Sequence, residues 1–344
     1  MGTRKGVWRF AVVSFLCVLI GIPALATAKP NPSWSDDARC DKWAVGVSNA
    51  VEKQLPKIAF PPSVRLWFEL MQRENLVPPA DHRIFYGVNY TKFGDLRLPH
   101  GAGPFPVAIL IHGGGWQSAV TLDYMAPLAD ALTCAGIATW SIEYRRLGAG
   151  GEWPAMFLDV GAAADFLREL AKHYPLDLSR VVTVGHSSGG HLALWLAARD
   201  RLPIDAELYT PDPLPILGVV ALAGAADIVR FVQLVPMYYP ALKQLLGGEP
   251  PEDNGERMKQ SSPAELLPLG KPQIFIHGES DPYVPIISAQ EYMEKAIAAG
   301  DEVEIIFLPG AGHFEPADPA HPVAGPSVRE AVLSIMGYSP AGKK

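Results

Sequence analysis

The chain has 344 residues, of which 49% are apolar and 19% charged, and its formal net charge is −7. This composition is typical of a globular protein with a substantial core, and it excludes fibrous, repetitive and disordered chains. The acidic balance argues against nucleic acid or an anionic membrane as a partner.

Residues 1–28 have the pattern of a secretory signal peptide, with a basic start and an apolar stretch at 10–22. That stretch is shorter than the roughly 20 residues that span a bilayer, which disfavours the alternative of an uncleaved anchor. An Ala-Thr-Ala sequence predicts cleavage after Ala28, which would take the net charge from −7 to −10 by removing three basic residues. We therefore expect a secreted or periplasmic protein with no stable membrane association after cleavage.

Residues 29–80 alternate helical patches with prolines and form a predicted N-terminal helical lead-in that matches no motif. Cys40 lies in this segment, and Cys134 lies in a later apolar helical stretch. The two thiols could form one disulfide after export, although a cysteine in such a helix is more commonly a buried thiol. The cysteine spacing fits no zinc site.

Apolar runs and helical periodicities alternate through residues 81–340, the predicted main domain. A hairpin of strands at 83–90 and 93–99 comes first. The later strands are predicted at 106–111, 137–144, 181–185, 218–224, 273–278 and 303–310, and the helices at 124–134, 153–173, 189–199, 287–299 and 327–336. This alternation predicts a doubly wound α/β fold, with a mostly parallel sheet covered by helices on both faces. Residues 226–270 interrupt it and predict a small cap insertion over the carboxyl edge of the sheet.

The sequence Gly-His-Ser-Ser-Gly at 185–189 joins a predicted strand to a predicted helix, as a nucleophile elbow does. Glycines on both sides of Ser187 allow the tight turn that exposes its hydroxyl near the positive end of the helix. Ser187 is therefore the predicted nucleophile. His186 is interpreted as a residue oriented by packing, and His191 as a structural residue.

A serine hydroxyl needs a base and an orienting carboxylate to act as a nucleophile. Asp281 and His313 each follow a predicted later strand, so both should lie at the same sheet edge as Ser187. Asp281 is the predicted orienting carboxylate, with Glu279 as the alternative. His313 is the predicted base, with His321 as the alternative.

The sequence His-Gly-Gly-Gly-Trp at 112–116 directly follows a predicted strand, where an oxyanion loop is expected. The peptide N–H groups of Gly114 and Gly115 form the predicted oxyanion hole, with the N–H of Ser188 opposite them. Donors placed in this way stabilise the charge of the transition state by about 3 kcal/mol each. His112 is interpreted as a brace for the loop.

Together these motifs resemble the α/β-hydrolase fold, in particular the H-G-G-G esterases of the hormone-sensitive-lipase type. They are equally similar to the bacterial carboxylesterase, feruloyl/acetylxylan-esterase and kynurenine-formamidase-like group. The resemblance covers about residues 83–338, and it implies Ser187 as the nucleophile, His313 as the base and Asp281 as the orienting residue.

Residues 143–160 also look like the segment that these proteins carry between the oxyanion loop and the elbow. There the resemblance implies that Arg145 or Arg146 pairs with Asp159 to brace a loop. The lead-in matches nothing in the family and the cap is short, and substrate preference is usually set in such parts.

The leading hypothesis is an exported serine esterase that cleaves short-chain or aromatic acyl esters through an acyl-enzyme. No metal or organic cofactor is implied, and the expected partner is a small-molecule ester. Trp116 and Tyr283 are candidate substrate-binding residues. The cap aromatics could line a pocket or belong to the core; they are Phe231, Tyr238 and Tyr239.

Two other functions compete with this hypothesis. An amide or peptide hydrolase, of the formamidase or aminopeptidase-like kind, would use the same triad. The leader disfavours a formamidase, which mostly works in the cytoplasm, and 344 residues leave no room for the propeller domain of a dipeptidyl peptidase. A binding module that keeps the fold without the chemistry usually lacks a triad or oxyanion residue, and this sequence has all of them.

Overall fold

The computed structural model describes residues 62–73, 77–249 and 255–338. The predicted signal peptide and Cys40 lie outside these ranges, so cleavage, export and the disulfide stay predictions. Cys134 is half-buried rather than buried. Within the described ranges, each helix is too short or too polar to cross a bilayer.

The described residues form one mostly parallel sheet of eight strands. The strands are β1 (His82–Phe85), β2 (Phe93–Arg97), β3 (Phe105–Ile111), β4 (Ala138–Ile142), β5 (Leu176–His186), β6 (Gly218–Leu222), β7 (Gln273–Gly278) and β8 (Val303–Leu308). Their order across the sheet is β1-β2-β4-β3-β5-β6-β7-β8. The first two pairings, β1 with β2 and β2 with β4, are antiparallel, and all later ones are parallel. The predicted doubly wound α/β fold is confirmed.

Helices cover both faces of this sheet. They are α1 (Pro62–Arg73), α2 (Ala126–Cys134), α3 (Ala155–Asp165), α4 (Leu167–Leu170), α5 (Ser188–Ala198), α6 (Ile228–Leu234), α7 (Tyr239–Leu246), α8 (Gly255–Ser261), α9 (Ile286–Ala298) and α10 (Ala324–Ile335). Side chains of β3 alternate between two buried clusters, because successive residues of a strand point to opposite faces. Ile109 belongs to the larger cluster, together with residues of α3, α5 and α9, and Leu110 belongs to the smaller one, together with residues of α2 and α10.

Three elements differ most from their predicted bounds. β1 ends at Phe85 because residues 86–92 form a turn, in which the N–H of Tyr86 donates to the carbonyl oxygen of Lys92. The helix predicted at 153–173 is two shorter helices, α3 and α4. β5 begins at Leu176 rather than at 181, because its first residues pair with Phe105 before an irregularity in the register.

Residues 226–270, between β6 and β7, contain α6, α7 and α8. The carboxylate of Asp227 accepts a hydrogen bond from the N–H of Arg230 and so caps the start of α6. Leu242 of α7 and Met258 of α8 are buried in the larger cluster. The insertion therefore shares the core of the sheet.

Candidate active site

Ser187 lies between the end of β5 and the start of α5, in a backbone conformation with φ 58° and ψ −123°. Residues other than glycine rarely adopt a positive φ, so the backbone at Ser187 is strained. A Cβ atom on Gly185 would lie 2.0 Å from the carbonyl oxygen of Gly189. A Cβ atom on Gly189 would lie 2.1 Å from the carbonyl oxygen of Ile111 in β3. Both glycines are required because backbone meets backbone on each side of the serine.

The structure brings Ser187, His313 and Asp281 together at the carboxyl edge of the sheet. Ser187 Oγ lies 2.9 Å from His313 Nε2, and His313 Nδ1 lies 2.7 Å from Asp281 Oδ2. With the carboxylate accepting from Nδ1, Nε2 is left to accept the serine proton. This chain of hydrogen bonds is the geometry of a Ser-His-Asp triad, and it joins loops that follow β5, β7 and β8.

Asp281 is held as an ionised carboxylate by groups on both of its oxygens. Oδ1 accepts hydrogen bonds from the N–H groups of Tyr283 at 2.8 Å and Val284 at 2.9 Å. Oδ2 faces His313 and lies 3.5 Å from His277 Nε2. Burial alone would raise the pKa of Asp281, but the charge of His313 and the two histidine contacts outweigh it and hold that pKa well below its usual range.

The two alternative residues lie elsewhere. Glu279 is exposed. The ring of His321 accepts hydrogen bonds from the N–H groups of Val323 and Ala324 at the start of α10. His321 therefore caps a helix, and the triad geometry belongs to His313.

The His-Gly-Gly-Gly-Trp loop after β3 turns through three consecutive residues with positive φ, which are 121° at Gly114, 62° at Gly115 and 63° at Trp116. The loop is tied to the nucleophile elbow, because Ser188 Oγ accepts a hydrogen bond from the N–H of Trp116 at 3.2 Å. From the sequence, Ser188 was expected to contribute only its backbone N–H. Its hydroxyl holds the loop as well.

The loop also touches the nucleophile directly, since a Cβ atom on Gly113 would lie 2.9 Å from Ser187 Cβ. Across the part of the chain that the structure describes, no group accepts a hydrogen bond from the N–H of Gly114, Gly115 or Ser188. Three donors beside a serine hydroxyl suit a developing oxyanion. Their role in an oxyanion hole stays a prediction.

The side chain of Trp116, the last residue of the loop, is buried and has 2% of its surface exposed. Its indole N–H donates to His191 Nδ1 at 3.2 Å, and His191 Nε2 donates to the carbonyl oxygen of Ser261 at 2.8 Å. Burial lowers the pKa of His191 to about 4, so this ring is neutral and structural, as predicted. The placement corrects the interpretation of Trp116 as a substrate-binding residue, because the ring offers almost no surface to a ligand.

Two tyrosines flank the triad and the loop. The ring of Tyr283 lies 5.1 Å from the ring of His313. Tyr238 of the insertion lies over the loop, where a Cβ atom on Gly115 would be 3.1 Å from its ring, and burial raises the pKa of Tyr238 to about 12. The neighbouring Tyr239 is 39% exposed. Of the cap aromatics, Phe231 packs against Trp116 with 6.2 Å between ring centroids, and Tyr238 is the one that lies over Gly115.

Sequence reasoning missed Glu143, a buried carboxylate that fixes the base of the loop. It faces His112 Nε2 at 3.1 Å and accepts hydrogen bonds from the N–H groups of Tyr144 and Leu122. Burial would raise the pKa of Glu143, but the charges of His112 and Arg146 hold it below its usual range. The bracing role of His112 is confirmed. The signal in the sequence was a single glutamate near the end of the apolar run at 137–144, where a charged side chain is unusual.

The arginine that pairs with Asp159 is Arg145, with Nε and Nη2 donating to the two carboxylate oxygens at 2.7 and 2.8 Å. Lys92 Nζ lies 2.7 Å from the same carboxylate. Arg146 instead lies 3.4 Å from Glu143. The predicted pairing is confirmed, and both arginines act in bracing the loop that follows β4.

Comparison with known proteins agrees with this geometry. The family model BD-FAE matches residues 95–296, which is more than half of the chain. Esterase LipC of Mycobacterium tuberculosis is 26% identical over 74% of this chain and 64% of its own length. Esterase LipQ of the same organism is 27% identical over 67% of this chain and 55% of its own. The chain thus spans less than two thirds of both curated relatives.

Solved structures share the fold. A truncated carbohydrate esterase from gut microbiota superposes with a TM-score of 0.65 at 22% identity, covering 76% of this chain and 100% of that one. Esterase B of Lactobacillus rhamnosis, solved with an inhibitor, superposes with a TM-score of 0.67 at 17% identity, covering 85% and 96%.

Proposed function

The chain belongs to the BD-FAE family of α/β-hydrolase esterases, and from this premise we propose that it is a serine carboxylesterase with Ser187 as the nucleophile. One observation carries the proposal: the unbroken path of hydrogen bonds from Ser187 Oγ through His313 to Asp281, at 2.9 and 2.7 Å. A serine paired with a base that is itself oriented by a carboxylate is the arrangement that acyl transfer requires.

In the acylation step, Ser187 Oγ attacks the ester carbonyl while His313 Nε2 accepts the serine proton. The carbonyl oxygen takes up negative charge, which the N–H groups of Gly114, Gly115 and Ser188 stabilise. Asp281 stabilises the imidazolium and keeps it oriented. When the tetrahedral intermediate collapses, His313 returns the proton to the leaving alcohol, and the acyl group stays on the serine.

In the deacylation step, a water molecule gives a proton to His313 Nε2 and attacks the acyl carbonyl. The same three N–H groups stabilise the second tetrahedral intermediate. Its collapse breaks the bond to Ser187 Oγ, which takes the proton back from His313. The acid leaves, and the site is ready for another ester.

A short-chain or aromatic acyl group suits this site, because the rings of Tyr238 and Tyr283 both lie close to the reacting groups. A Cβ atom on Gly115 of the oxyanion loop would be 3.1 Å from the ring of Tyr238, and the ring of Tyr283 lies 5.1 Å from that of His313. Such rings narrow the space beside the reacting carbonyl and offer flat apolar surface. Export with cleavage after Ala28 remains part of the proposal on the strength of the leader sequence alone.

The replacement Ser187→Ala tests the nucleophile. We expect kcat for 4-nitrophenyl acetate to fall by about 10⁴-fold or more while thermal unfolding changes little, because only the attacking oxygen is lost. Ser288→Ala, which removes the hydroxyl of a fully buried serine in α9, is the control and should keep wild-type kcat. Retention of most activity by Ser187→Ala would remove the proposal.

Ester and amide hydrolysis are separated by paired substrates. We expect 4-nitrophenyl acetate to be cleaved far faster than 4-nitroacetanilide, which has the same acyl group on a poorer leaving group. Faster cleavage of the anilide would point to an amide hydrolase instead.

A further inference from the structure

Three hydrogen bonds connect the oxyanion loop with the main chain of the catalytic base, through residues that the proposed mechanism does not use. The N–H of Gly113 lies 2.6 Å from Tyr124 Oη, and Tyr124 Oη lies 2.9 Å from His186 Nδ1. On the other side of its ring, His186 Nε2 lies 2.9 Å from the carbonyl oxygen of His313. Both linking side chains are at most 1% exposed.

The chemistry of these groups assigns every proton in the path. A carbonyl oxygen can only accept, so His186 carries its proton on Nε2 and donates it to the main chain of His313. Nδ1 is then an acceptor, and the hydroxyl of Tyr124 donates to it while accepting from the N–H of Gly113. The tyrosine hydroxyl thus contacts the oxyanion loop directly and reaches the loop of the catalytic base through His186.

Both side chains keep these protons through the working pH range. Burial, together with the nearby charge of His313, lowers the pKa of His186 to about 3. Burial also raises the pKa of the Tyr124 hydroxyl well above its usual value. The path therefore stays intact while His313 gains and loses its proton.

An aromatic side chain from α1 packs against this path from outside. The ring of Trp67 lies 5.1 Å from the ring of Tyr124, edge to face, and 5.0 Å from the ring of Phe314. Phe314 in turn packs 5.0 Å from the ring of His313. This helix comes from the predicted lead-in and precedes residues 95–296, which the family model matches.

We propose that Tyr124 and His186 are positioning residues that fix the loop of the catalytic base against the oxyanion loop, and that Trp67 clamps them from α1. The inference rests on the proposed esterase function. Catalysis needs the imidazole of His313 and the oxyanion donors at one fixed separation, and a misplacement of about 1 Å can cost about 100-fold in rate. The hydroxyl of Tyr124 supplies that fixed separation.

The replacement Tyr124→Phe removes the hydroxyl and keeps the ring. The matched control is Tyr292→Phe, because Tyr292 is also fully buried and its hydroxyl donates at 2.8 Å to Gln273, at the amino end of β7 and so opposite the sheet edge that holds the loop. Active sites are counted in the full chain with a fluorophosphonate probe, and kcat and KM are measured with 4-nitrophenyl acetate. A merely structural loss lowers the number of labelled sites but leaves kcat per labelled site unchanged.

We expect Tyr124→Phe to lower kcat per labelled site by about 10- to 100-fold with KM within about twofold. Tyr292→Phe should keep kcat within about twofold of the wild type. Equal kcat values for Tyr124→Phe and the wild type, or equal losses in the two variants, would overturn the positioning role. A wild type that neither labels nor hydrolyses the ester would overturn the esterase proposal together with this one.

The clamp is tested on the helix, where a replacement is less disruptive because Trp67 is only partly buried. We expect Trp67→Ala to lower kcat per labelled site by about 3- to 10-fold and Trp67→Phe to restore it. This pair also decides the proposal if Tyr124→Phe yields no folded protein. Wild-type kcat in Trp67→Ala, or no recovery in Trp67→Phe, would contradict it.

Discussion

The carboxyl edge of the sheet and the insertion between β6 and β7 are built in different ways. At the catalytic edge, meaning the loops at 112–116, 186–190, 279–284 and 311–314, main chain contacts main chain, and several glycines have no room for a Cβ atom. In the insertion at 226–270, side chains make the contacts, and Met237 and Tyr239 are exposed. The edge tolerates almost no change of shape, whereas the insertion can change its surface without moving the sheet.

This contrast indicates that the two regions have different roles. Groups that must hold a reacting atom within fractions of an ångström lie where backbone fixes them, and Tyr238, the ring that we propose limits the substrate, comes from the adaptable part. Substitutions of the same kind should therefore have very different effects in the two regions.

The largest expected contrast is between two aspartates. Asp281→Asn should lower kcat by about 10³- to 10⁴-fold, because an amide cannot keep the Nδ1 proton of His313 in place. Asp227→Asn, the same change at a helix cap of the insertion, should leave kcat unchanged, because an asparagine still caps α6. Steady-state kinetics on both variants make the comparison. Similar losses of kcat in the two variants would contradict the proposed difference between the two regions.

Two glycines give the next contrast. A Cβ atom on Gly185 would meet the backbone of Gly189 at 2.0 Å, so Gly185→Ala should lower the free energy of unfolding by about 3 kcal/mol or more. Gly255 begins α8, and no described atom lies within 4 Å of its Cβ position. Gly255→Ala should leave stability unchanged or raise it by up to about 1 kcal/mol. Urea denaturation measures both, and equal stabilities would contradict the packing of the elbow.

The buried imidazoles at the elbow and the exposed ion pair of the insertion should respond differently to acid. The unfolded chain protonates His186 and His191 near pH 6.5, but in the folded chain burial lowers their pKa values to about 3 and about 4. The unfolded state thus binds more protons between these limits. The free energy of unfolding should be at its full value above about pH 6.5 and fall steadily as the pH drops toward 4. Urea denaturation from pH 7.5 to 4.5 checks this.

A variant attributes the slope to these buried histidines. His191→Gln removes one of the two titrating groups, so its stability should depend less steeply on pH than that of the wild type. The ion pair of Lys243 with Glu249 in the insertion is exposed, and Lys243→Gln should leave the slope unchanged. A flat wild-type profile between pH 7 and pH 5 would refute the assignment.

The smallest contrast is within the insertion itself. Tyr238→Ala opens the space over Gly115 and should raise kcat/KM for the benzoate ester relative to the acetate by about 10-fold. Tyr239→Ala removes the adjacent, exposed ring and should change that ratio by less than about twofold. Kinetics on the 4-nitrophenyl acetate and benzoate pair measure the ratio. An unchanged ratio in Tyr238→Ala would show that this ring does not limit the acyl group.

Most strands and helices could be predicted, because apolar periodicity reports which elements are buried. The three triad candidates could be placed as well, because each of them follows a buried strand. The order of strands across the sheet was not predicted, since pairing is decided by contacts between distant parts of the chain. Ser187, Asp281 and His313 could be named because strand ends of a parallel sheet meet at one edge.

The hydrogen bonds that hold the two loops in place could not be predicted from the sequence, for a physical reason. Periodicity shows that Tyr124 and Glu143 are buried, but not which other buried polar group each one meets. Trp116 was misread for the same reason, because the side chain of a tryptophan beside an oxyanion loop can turn outward to the substrate or inward, as here to His191. The choice between Arg145 and Arg146 depended on which way the chain turns after β4.

At Ser187, the residue that would best stabilise the fold and the residue that the proposed chemistry needs are different. Glycine would adopt a φ of 58° with little strain but carries no hydroxyl. Natural selection for hydrolysis must therefore maintain serine there against a mutation that would make the fold easier to keep. A lineage released from that selection would have a direct route to a more stable and inert descendant.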